Sequence, residues 1–541
     1  MAERELIVVF NNIKLPINAS FEEAFSVARR RLSGILPLSH GAELQIYRKS
    51  VDARRKDNIH FVYSVAAKCV GSDAVAEALR AERDITVISS GMPEILSGER
   101  ELSAPPVIVG AGPAGIFAGL MLAERGYRPV IIERGGCVRE RIEEKEKFFN
   151  TGILNPECNI QFGAGGAGTF SDGKLVTRIN DTMTSYVLQR FVEFGAPAEI
   201  QYMAKPHVGT DILSGVVDRM LERIVELGGS VEYHTRFITP ILSSNRIVGL
   251  KTDRGDIQAG ALILAVGHSA RDTYGELMKL GVSLEAKAFS VGMRIEHLAD
   301  DIDRALYGKF AGHKALGRAE YNLSYNTKER GVYTFCMCPG GEVVAAASEN
   351  FGVVVNGMSN NSRSDRNSNS AVVCTVFKED YGSTPEAAIA FQRKIERDAY
   401  SSAGGGFKAP IITVGDFLSG ECKTEPKRVL PTYMGGRNVS LTAPDKYLPS
   451  VVTSSIRAAL SDFDRKISGF AASDAVLTGP ETRTSAPIRI LRNTDTRLAL
   501  GYENFYPTGE GAGYAGGITS AAIDGLRTSI ELIKQYRPLE K

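Results

Sequence analysis

Several features that would assign this chain to a special class are missing from its sequence. No apolar stretch approaches the roughly 20 residues that a membrane helix needs. The 7 cysteines are odd in number and scattered, which predicts no disulfide framework. The acidic start of the chain precedes only a short apolar run, Leu6–Phe10, unlike a secretory signal peptide. We therefore expect a protein of the reducing cytoplasm with no membrane partner.

Charge of one sign is not in excess either. The 64 Lys and Arg residues nearly balance the 63 Asp and Glu residues, which gives a net charge of +1 at pH 7. This balance argues against a general nucleic-acid binder. The densest basic runs, Arg29–Arg31 and Arg54–Lys56, fit the solvated face of a small domain better than an RNA site. Apolar residues make up 43% of the chain, enough for a large globular core.

Residues 1–100 have the pattern of a separate α/β domain. Ser20 and Glu23 form a capping box, which predicts the start of a helix. Alternating strands and helices follow the order βαββαβ, typical of a ferredoxin-like fold. The predicted strands are Leu6–Phe10, Glu43–Tyr47, His60–Val65 and Ile85–Ile88, and the two helices end at Arg31 and Arg83.

The most informative segment begins with the apolar run Val107–Val109. It continues with Gly110-Ala111-Gly112-Pro113-Ala114-Gly115, a helical segment to Arg125, and a second apolar run that ends before Glu133. In such a unit the first glycine allows a tight turn and the second lets the backbone approach a pyrophosphate. The third glycine lets the helix pack close to the strand.

The end groups of this unit point to the kind of nucleotide. The helix start, with Pro113 and Ala114 in its first turn, presents free N–H groups to phosphates. Glu133 can accept hydrogen bonds from both hydroxyls of an adenosine ribose, and its charge would repel a 2′-phosphate. The segment therefore predicts a site for FAD or NAD rather than NADP.

Two further glycine-rich segments lack the preceding strand but carry polar groups. Gln161–Lys174 could place backbone N–H groups and Lys174 against a flavin or substrate, with a structural turn as the alternative. Gly509–Gly517 opens a predicted helix, Ile518–Lys534, whose start could stabilise a reduced flavin ring. Glu510 would then lie near the ribityl chain.

Other candidate residues follow predicted strands. The strand Ser230–Phe237 is expected where a flavin domain receives the adenine, with Phe237 contributing its backbone. The apolar strand Ala261–Gly267 is expected to return toward the cofactor. His268 and Arg271, just beyond it, are candidate catalytic residues on the substrate side. A buried histidine satisfied by hydrogen bonds is an equal alternative for His268.

The pair Cys336 and Cys338 permits a redox hypothesis. Its spacing is C-x-C, and no second Cys/His pair lies at zinc-like spacing, so we expect no metal site. A pair of this kind is more often packed into a core than catalytic. A thiol-linked flavoenzyme using both cysteines remains an alternative.

The region 280–489 differs in character from the segments around it. Short alternating stretches, such as Gly331–Cys336 and Glu342–Ala347, predict an inserted mixed α+β domain over the cofactor. Within it, Ser359–Ser370 is almost entirely polar and is predicted to be an exposed loop, with a lid as one possible role.

Together these motifs resemble a bacterial family of FAD-dependent dehydrogenases of uncharacterised function. More distantly, they are similar to p-hydroxybenzoate hydroxylase and fumarate reductase-like flavoproteins. The matching residues include Gly110–Gly115, Glu133–Gly135, Gly163–Lys174, Gly267–Asp272 and Gly509–Gly517. The resemblance implies one FAD domain, to which Arg134 also belongs, under a substrate domain. One departure is Ala164, where many relatives are expected to carry a glutamate.

The sequence thus predicts an α/β protein built around a discontinuous Rossmann-like FAD-binding domain. The predicted segments are 1–100 (ferredoxin-like), 101–279 and 490–541 (FAD-binding), and 280–489 (substrate domain). The expected activity moves a hydride or electron pair between a small organic substrate and FAD, with the redox partner left open. The alternative is a flavin-binding protein with a sensing or structural cofactor and an N-terminal domain that docks RNA or protein.

Overall fold

The computed structural model describes residues 4–35, 43–88, 94–176, 181–327 and 330–539. The chain divides into two compact units. The smaller unit combines 1–94 with two later segments, 180–207 and 300–319, and the larger unit contains the remainder. The predicted first domain was the single continuous segment 1–100 and did not include the two later segments. In the described ranges, no helix combines the length and apolarity needed to cross a bilayer.

The smaller unit contains an antiparallel sheet in the order β2-β3-β1-β4. The predicted order βαββαβ is confirmed, although β1 is longer than predicted and has a bulge after Phe10. Its elements are β1 (Arg4–Pro16), α1 (Phe21–Ile35), β2 (Glu43–Asp52), β3 (His60–Gly71), α2 (Asp73–Ala81), β4 (Ile85–Ile88) and α5 (Met183–Glu193).

The larger unit contains a five-stranded parallel sheet in the order β23-β11-β5-β6-β7. Val109, Leu264 and Pro507 lie side by side, so three of these strands end at one edge. Its strands are β5 (Pro106–Val109), β6 (Val130–Ile132), β7 (Ser230–Glu232), β11 (Ala261–Leu264) and β23 (Phe505–Pro507). A separate antiparallel sheet in the order β10-β9-β8 contains β8 (Phe237–Ser243), β9 (Arg246–Thr252) and β10 (Gly255–Gln258).

Helix α3 is buried on all sides because its sequence is apolar around its whole circumference. It follows β5 directly, as predicted, and packs closely against α13, where a side chain at Gly525 would collide with the Ala114 carbonyl. The helices of this unit are α3 (Pro113–Ala123), α4 (Val138–Thr151), α6 (Thr210–Glu226), α7 (Arg271–Lys279), α9 (Lys378–Tyr381), α10 (Pro385–Ser402), α11 (Val414–Ser419), α12 (Ser450–Lys466) and α13 (Ile518–Gln535). All but the first residue of α8 (Ala299–Tyr307) belongs to the smaller unit.

A second, seven-stranded mixed sheet has the order β14-β15-β18-β13-β21-β19-β20. Two short antiparallel pairs, β12 with β22 and β16 with β17, accompany it. These strands are β12 (Leu284–Ala286), β13 (Phe289–Leu298), β14 (Ser324–Asn326), β15 (Gly331–Cys338), β16 (Glu342–Ala345), β17 (Val355–Met358), β18 (Asn367–Val376), β19 (Ala409–Thr413), β20 (Val439–Leu441), β21 (Val476–Glu481) and β22 (Ile488–Ile490).

Two predictions of local structure are wrong in part. The polar segment 359–370 is not all exposed loop, because its last four residues begin the buried central strand β18. Two of their side chains form hydrogen bonds inside the sheet: the Asn367 amide donates to Glu296, and the Asn369 side-chain oxygen accepts from Arg294. The predicted strand 230–237 is broken, since β7 ends at Glu232 and His234 has a left-handed φ of 53°.

Candidate functional site

A cavity of about 310 Å³ opens in the larger unit, at the edge where the parallel strands end. Its wall includes the turn after β5, the residues after β6 and β11, and the start of α13. These segments are far apart in the chain but meet because parallel strands place their carboxyl ends on one edge. The cavity therefore collects most of the predicted cofactor residues in one place.

The glycine turn has the geometry that its sequence predicts. Gly110 has a φ of +104°, and Gly115 packs so tightly that a Cβ there would lie 1.9 Å from the Gly110 carbonyl oxygen. At Gly112, by contrast, the nearest atom to such a Cβ is the Gly166 Cα at 3.8 Å, and the residue faces the cavity. Helix α3 begins behind Gly112 with Pro113 in its first turn, and no side chain caps it.

Glu133 is buried at the cavity wall and is held by backbone groups. Its Oε2 accepts from the Ala111 N–H at 2.9 Å, and its Oε1 accepts from the N–H groups of Gly135 at 3.0 Å and Gly163 at 2.9 Å. A carboxylate offers about four acceptor positions, so these contacts leave about one for a ligand hydroxyl. The carboxylate thus joins the glycine turn to the second glycine-rich segment.

The C-terminal glycine segment contributes the start of a second helix. Gly517 lies at the cavity wall immediately before α13, whose N-terminus has no side-chain cap. Gly509 is behind the wall, where its N–H donates to Asp524 at 2.7 Å. Glu510 faces the cavity, and burial raises its pKa to about 7. The charge of Lys287 acts against this increase, and the charge of Cys336 adds to it.

The remaining predicted cofactor residues also lie at the cavity wall. Arg134 pairs with Glu157 and Asp272 and stacks 4.3 Å from the Phe162 ring centre. The Lys174 Nζ is 3.4 Å from a Glu320 oxygen and 3.7 Å from an Asp172 oxygen. Two others line the wall without charge, Phe237 at the start of β8 and Gly267 after β11.

His268 lies at the wall and is buried. Its Nδ1 is 2.9 Å from the Ser269 hydroxyl, which in turn accepts from Arg483 at 3.0 Å. Burial, with the charges of Arg483 and Arg271, lowers the pKa of His268 to about 3. The imidazole is therefore neutral at physiological pH.

Arg271, predicted on the substrate side, is instead part of a buried ionic cluster. Its guanidinium donates to Glu396 at 2.7 and 2.8 Å, to Gln392 at 3.0 Å and to Glu349 at 3.1 Å. Arg483 contacts the same Glu396. Burial alone would raise the pKa of Glu396, but Arg271 and Arg483 outweigh it and hold the pKa well below its usual range. Arg483, which the sequence analysis missed, is the member of this cluster that reaches the cavity wall.

Arg141 is a second residue that the sequence analysis missed. It is fully buried on α4 and donates to four backbone carbonyl oxygens in the stretch 159–166, those of Asn159, Ile160, Ala164 and Gly166. Nothing in the charged sequence of α4 distinguishes this arginine from its exposed neighbours. Ala164, where the family resemblance predicted a glutamate, is buried. Its N–H donates to the Gly136 carbonyl oxygen, and its own carbonyl oxygen accepts from Arg141.

Comparisons with known proteins show the family to which the chain belongs. The family model described as "FAD-dependent protein, C-terminal domain-like" matches residues 288–484, and a domain of unknown function (DUF8436) matches residues 9–68. An uncharacterized protein of Clostridium beijerinckii is 43% identical over 526 residues, which are 96% of this chain and 98% of that protein. The chain belongs to this bacterial family of FAD-dependent proteins, which confirms the resemblance predicted from the motifs.

More distant similarities are partial or weak. Indole-3-pyruvate monooxygenase YUCCA6 of Arabidopsis thaliana is 25% identical over 144 residues, 26% of this chain and 32% of that protein. Glycine oxidase from Bacillus cereus aligns with 80% of this chain and 95% of its own, at 9% identity and a TM-score of 0.32. L-amino acid deaminase from Proteus vulgaris aligns with 83% and 98%, at 13% identity and the same score. These scores are too low to support an inference.

The family match therefore confirms FAD as the cofactor. The cavity fits that cofactor in its own right. Two uncapped helix starts and an open glycine turn face the same space as a buried carboxylate.

Proposed function

We propose that the protein is a dehydrogenase that transfers a hydride from a small organic substrate to FAD bound in the cavity described above. The observation that carries this proposal is the meeting of the glycine turn, Glu133 and the start of α13 in one cavity. Bound FAD would supply the two-electron acceptor. The protein supplies binding, orientation and proton handling.

The proposed placement of the cofactor follows from the cavity wall. The open space at Gly112 and the uncapped start of α3 suit the diphosphate. Glu133 would accept a ribose hydroxyl at its remaining acceptor position, with Arg134 and Phe237 beside the adenosine. The start of α13 at Gly517 and the Glu510 carboxyl would then face the flavin ring.

The proposed substrate side contains His268 and Arg483. The neutral imidazole of His268 would accept a hydrogen bond from a substrate O–H or N–H as a hydride leaves, since its low pKa makes it a weak base. The buried guanidinium of Arg483 donates to the Ser269 hydroxyl, which in turn contacts His268. Arg483 would orient an acidic or carbonyl group of the substrate. Arg271 holds this arrangement by sharing Glu396 with Arg483 and is a positioning residue in this proposal.

The finer description of the fold also belongs to this proposal. We assign the parallel sheet and α13 to a discontinuous Rossmann-like domain and the seven-stranded sheet to the substrate domain. The βαββαβ unit is assigned a ferredoxin-like fold. The antiparallel order β2-β3-β1-β4 supports that last assignment.

The first test is a visible spectrum of purified protein loaded with FAD, followed by anaerobic titration with NADH, with NADPH and with small organic acids and amines. We expect bound-flavin bands that at least one of these reductants bleaches. Folded protein that takes up no FAD would contradict the cofactor placement. Bound flavin that no reductant bleaches would contradict a dehydrogenase role.

The second test uses His268→Ala with whichever reductant bleaches the flavin. We expect the rate of flavin reduction to fall about tenfold or more, because a buried donor of the substrate would lose its hydrogen-bond acceptor. FAD affinity should stay unchanged. An unchanged reduction rate would remove His268 from the chemistry.

A further inference from the structure

The pair Cys336 and Cys338 occupies a site for which the proposed hydride transfer has no use. Cys336 is half-buried and faces the cavity, whereas Cys338 is fully buried behind it. Both thiols are free. The remaining cysteines of the described chain do not line this cavity.

The backbone directs Cys336 toward the cavity. A bulge interrupts the pairing of β15 with β18 between Phe335 and Cys338, and Cys336 adopts a left-handed φ of 47°. A residue with a side chain is strained in that conformation, and bulges commonly redirect a side chain beside an active site. Without the bulge, the pairing of β15 with β18 would continue through residue 336.

The Cys338 thiol donates to the Cys336 carbonyl oxygen at 3.3 Å, and both cysteines lie beside one buried cation. The fully buried Arg294 donates to the Cys336 carbonyl oxygen at 3.0 Å and lies 3.9 Å from the Cys338 sulfur. A hydrogen bond from Cys338 lowers the pKa of Cys336 to about 6; burial opposes this shift, and the charges of Arg294 and Lys174 support it. The pKa of Cys338 is raised, so this thiol keeps its proton.

We propose that Cys336 and Cys338 form a redox-active dithiol that exchanges an electron pair with the FAD of this cavity. Cys336 is the accessible thiolate, and Cys338 is its proton donor and disulfide partner. In the forward step the Cys338 S–H bond breaks and one S–S bond forms between the two sulfurs. The two electrons and the Cys338 proton would pass to oxidised FAD, and no other proton is released because Cys336 reacts as the thiolate. This inference rests on the proposed function for the position of FAD.

The first experiment measures the thiols without any flavin. FAD-free protein is treated with the thiol oxidant diamide, alkylated and cut with trypsin, which releases peptide 331–363 containing these two cysteines alone. We expect this peptide to lose two hydrogens and escape alkylation, both in the native chain and in Cys422→Ser, a control outside the cavity. A peptide that remains fully alkylated would overturn the proposal.

A second measurement tests the thiolate. Alkylation of Cys336 at pH 7 should be about tenfold or more slower in Cys338→Ala than in the native chain, because loss of the hydrogen bond raises the pKa of Cys336. Equal rates would contradict the assigned roles. The Cys422→Ser protein should match the native chain.

The third measurement counts electrons in FAD-loaded protein after diamide treatment. The native chain and Cys422→Ser should need one more electron pair per flavin for full anaerobic reduction than Cys336→Ser or Cys338→Ser. Equal counts in all four proteins would refute exchange with the flavin. The serine variants should still bind FAD, and their flavin should still be reduced. If the dithiol proposal fails, FAD is bound and reduced but the electron counts are equal; if the proposed function fails, FAD is not bound or not reduced.

Discussion

At the scale of single residues, the glycines of one motif have separable roles. Gly115 is required by packing, because a Cβ there would overlap the Gly110 carbonyl oxygen at 1.9 Å. Gly112 has no such neighbour, since its nearest atom would be 3.8 Å away. Its lack of a side chain therefore matters to the ligand rather than to the fold.

Gly112→Ala and Gly115→Ala should consequently differ. Gly115→Ala should lower the free energy of unfolding by about 1–3 kcal/mol, since the added methyl group forces α3 away from β5. Gly112→Ala should change it by about 0.5 kcal/mol or less and weaken FAD binding about tenfold or more. Denaturant unfolding and flavin fluorescence titration measure the two effects. Equal loss of stability in both variants would contradict this division of roles.

Glu510 should make the stability of the FAD-free protein depend on pH. Its pKa is about 7 in the folded state, above its usual value, so the folded state holds this proton more tightly than the unfolded state. The resulting stabilisation is complete below about pH 4.5 and is lost as pH rises through about 7. We expect a loss of about 1–3 kcal/mol across this window.

The measurement is chemical denaturation at several pH values. Glu510→Gln should lack this part of the pH dependence, and Glu503→Gln, an exposed change nearby, should retain it. The same slope in all three proteins would show that Glu510 does not titrate near neutrality.

At the scale of elements, α4 organises a loop through one arginine. Arg141 serves four carbonyl oxygens of the glycine-rich segment 159–166 and stacks 4.7 Å from the Phe170 ring centre. A segment so rich in glycine loses much conformational entropy when it is ordered. The hydrogen bonds from a single rigid guanidinium offset that cost.

Arg141→Met should therefore remove both stability and cofactor binding. We expect a loss of about 3–5 kcal/mol in the free energy of unfolding, since buried carbonyl groups lose their donors. Arg139→Met, an exposed arginine on the same helix, should cost about 0.5 kcal/mol or less. Denaturation and FAD titration test both variants, and similar results for the two would argue against a structural role for Arg141.

At the scale of the whole molecule, the residues that line the cavity all belong to the larger unit. Binding that involves only the native state of one unit stabilises that unit by mass action. The effect on hydrogen exchange should therefore be unequal along the chain.

Adding FAD at about 100 times its dissociation constant should stabilise the larger unit by about 2.7 kcal/mol. Hydrogen exchange followed by mass spectrometry should show slower exchange in β5, β11 and α13 and little change in β1 and β3. Gly112→Ala at the same FAD concentration provides the weak-binding control. Equal protection in both units would mean that the cofactor couples them.

The sequence by itself determined the local parts of this protein. The βαββαβ order, the helix starts at Pro113 and Ile518 and the glycine turn follow from short-range patterns, and the structure contains each of them. Short-range patterns succeed here because apolar periodicity and glycine conformation are properties of neighbouring residues. The family resemblance, carried by the same motifs, also led directly to FAD.

Only the tertiary structure decided which distant groups meet. It buried the polar start of β18 inside a sheet, where Glu296 and Arg294 form hydrogen bonds with it, and it enclosed Arg271 in an ionic cluster. It also brought Cys336 to the cavity wall through a bulge. Burial, the pairing of charges and the resulting pKa shifts depend on partners far away in the chain, so no local pattern contains them.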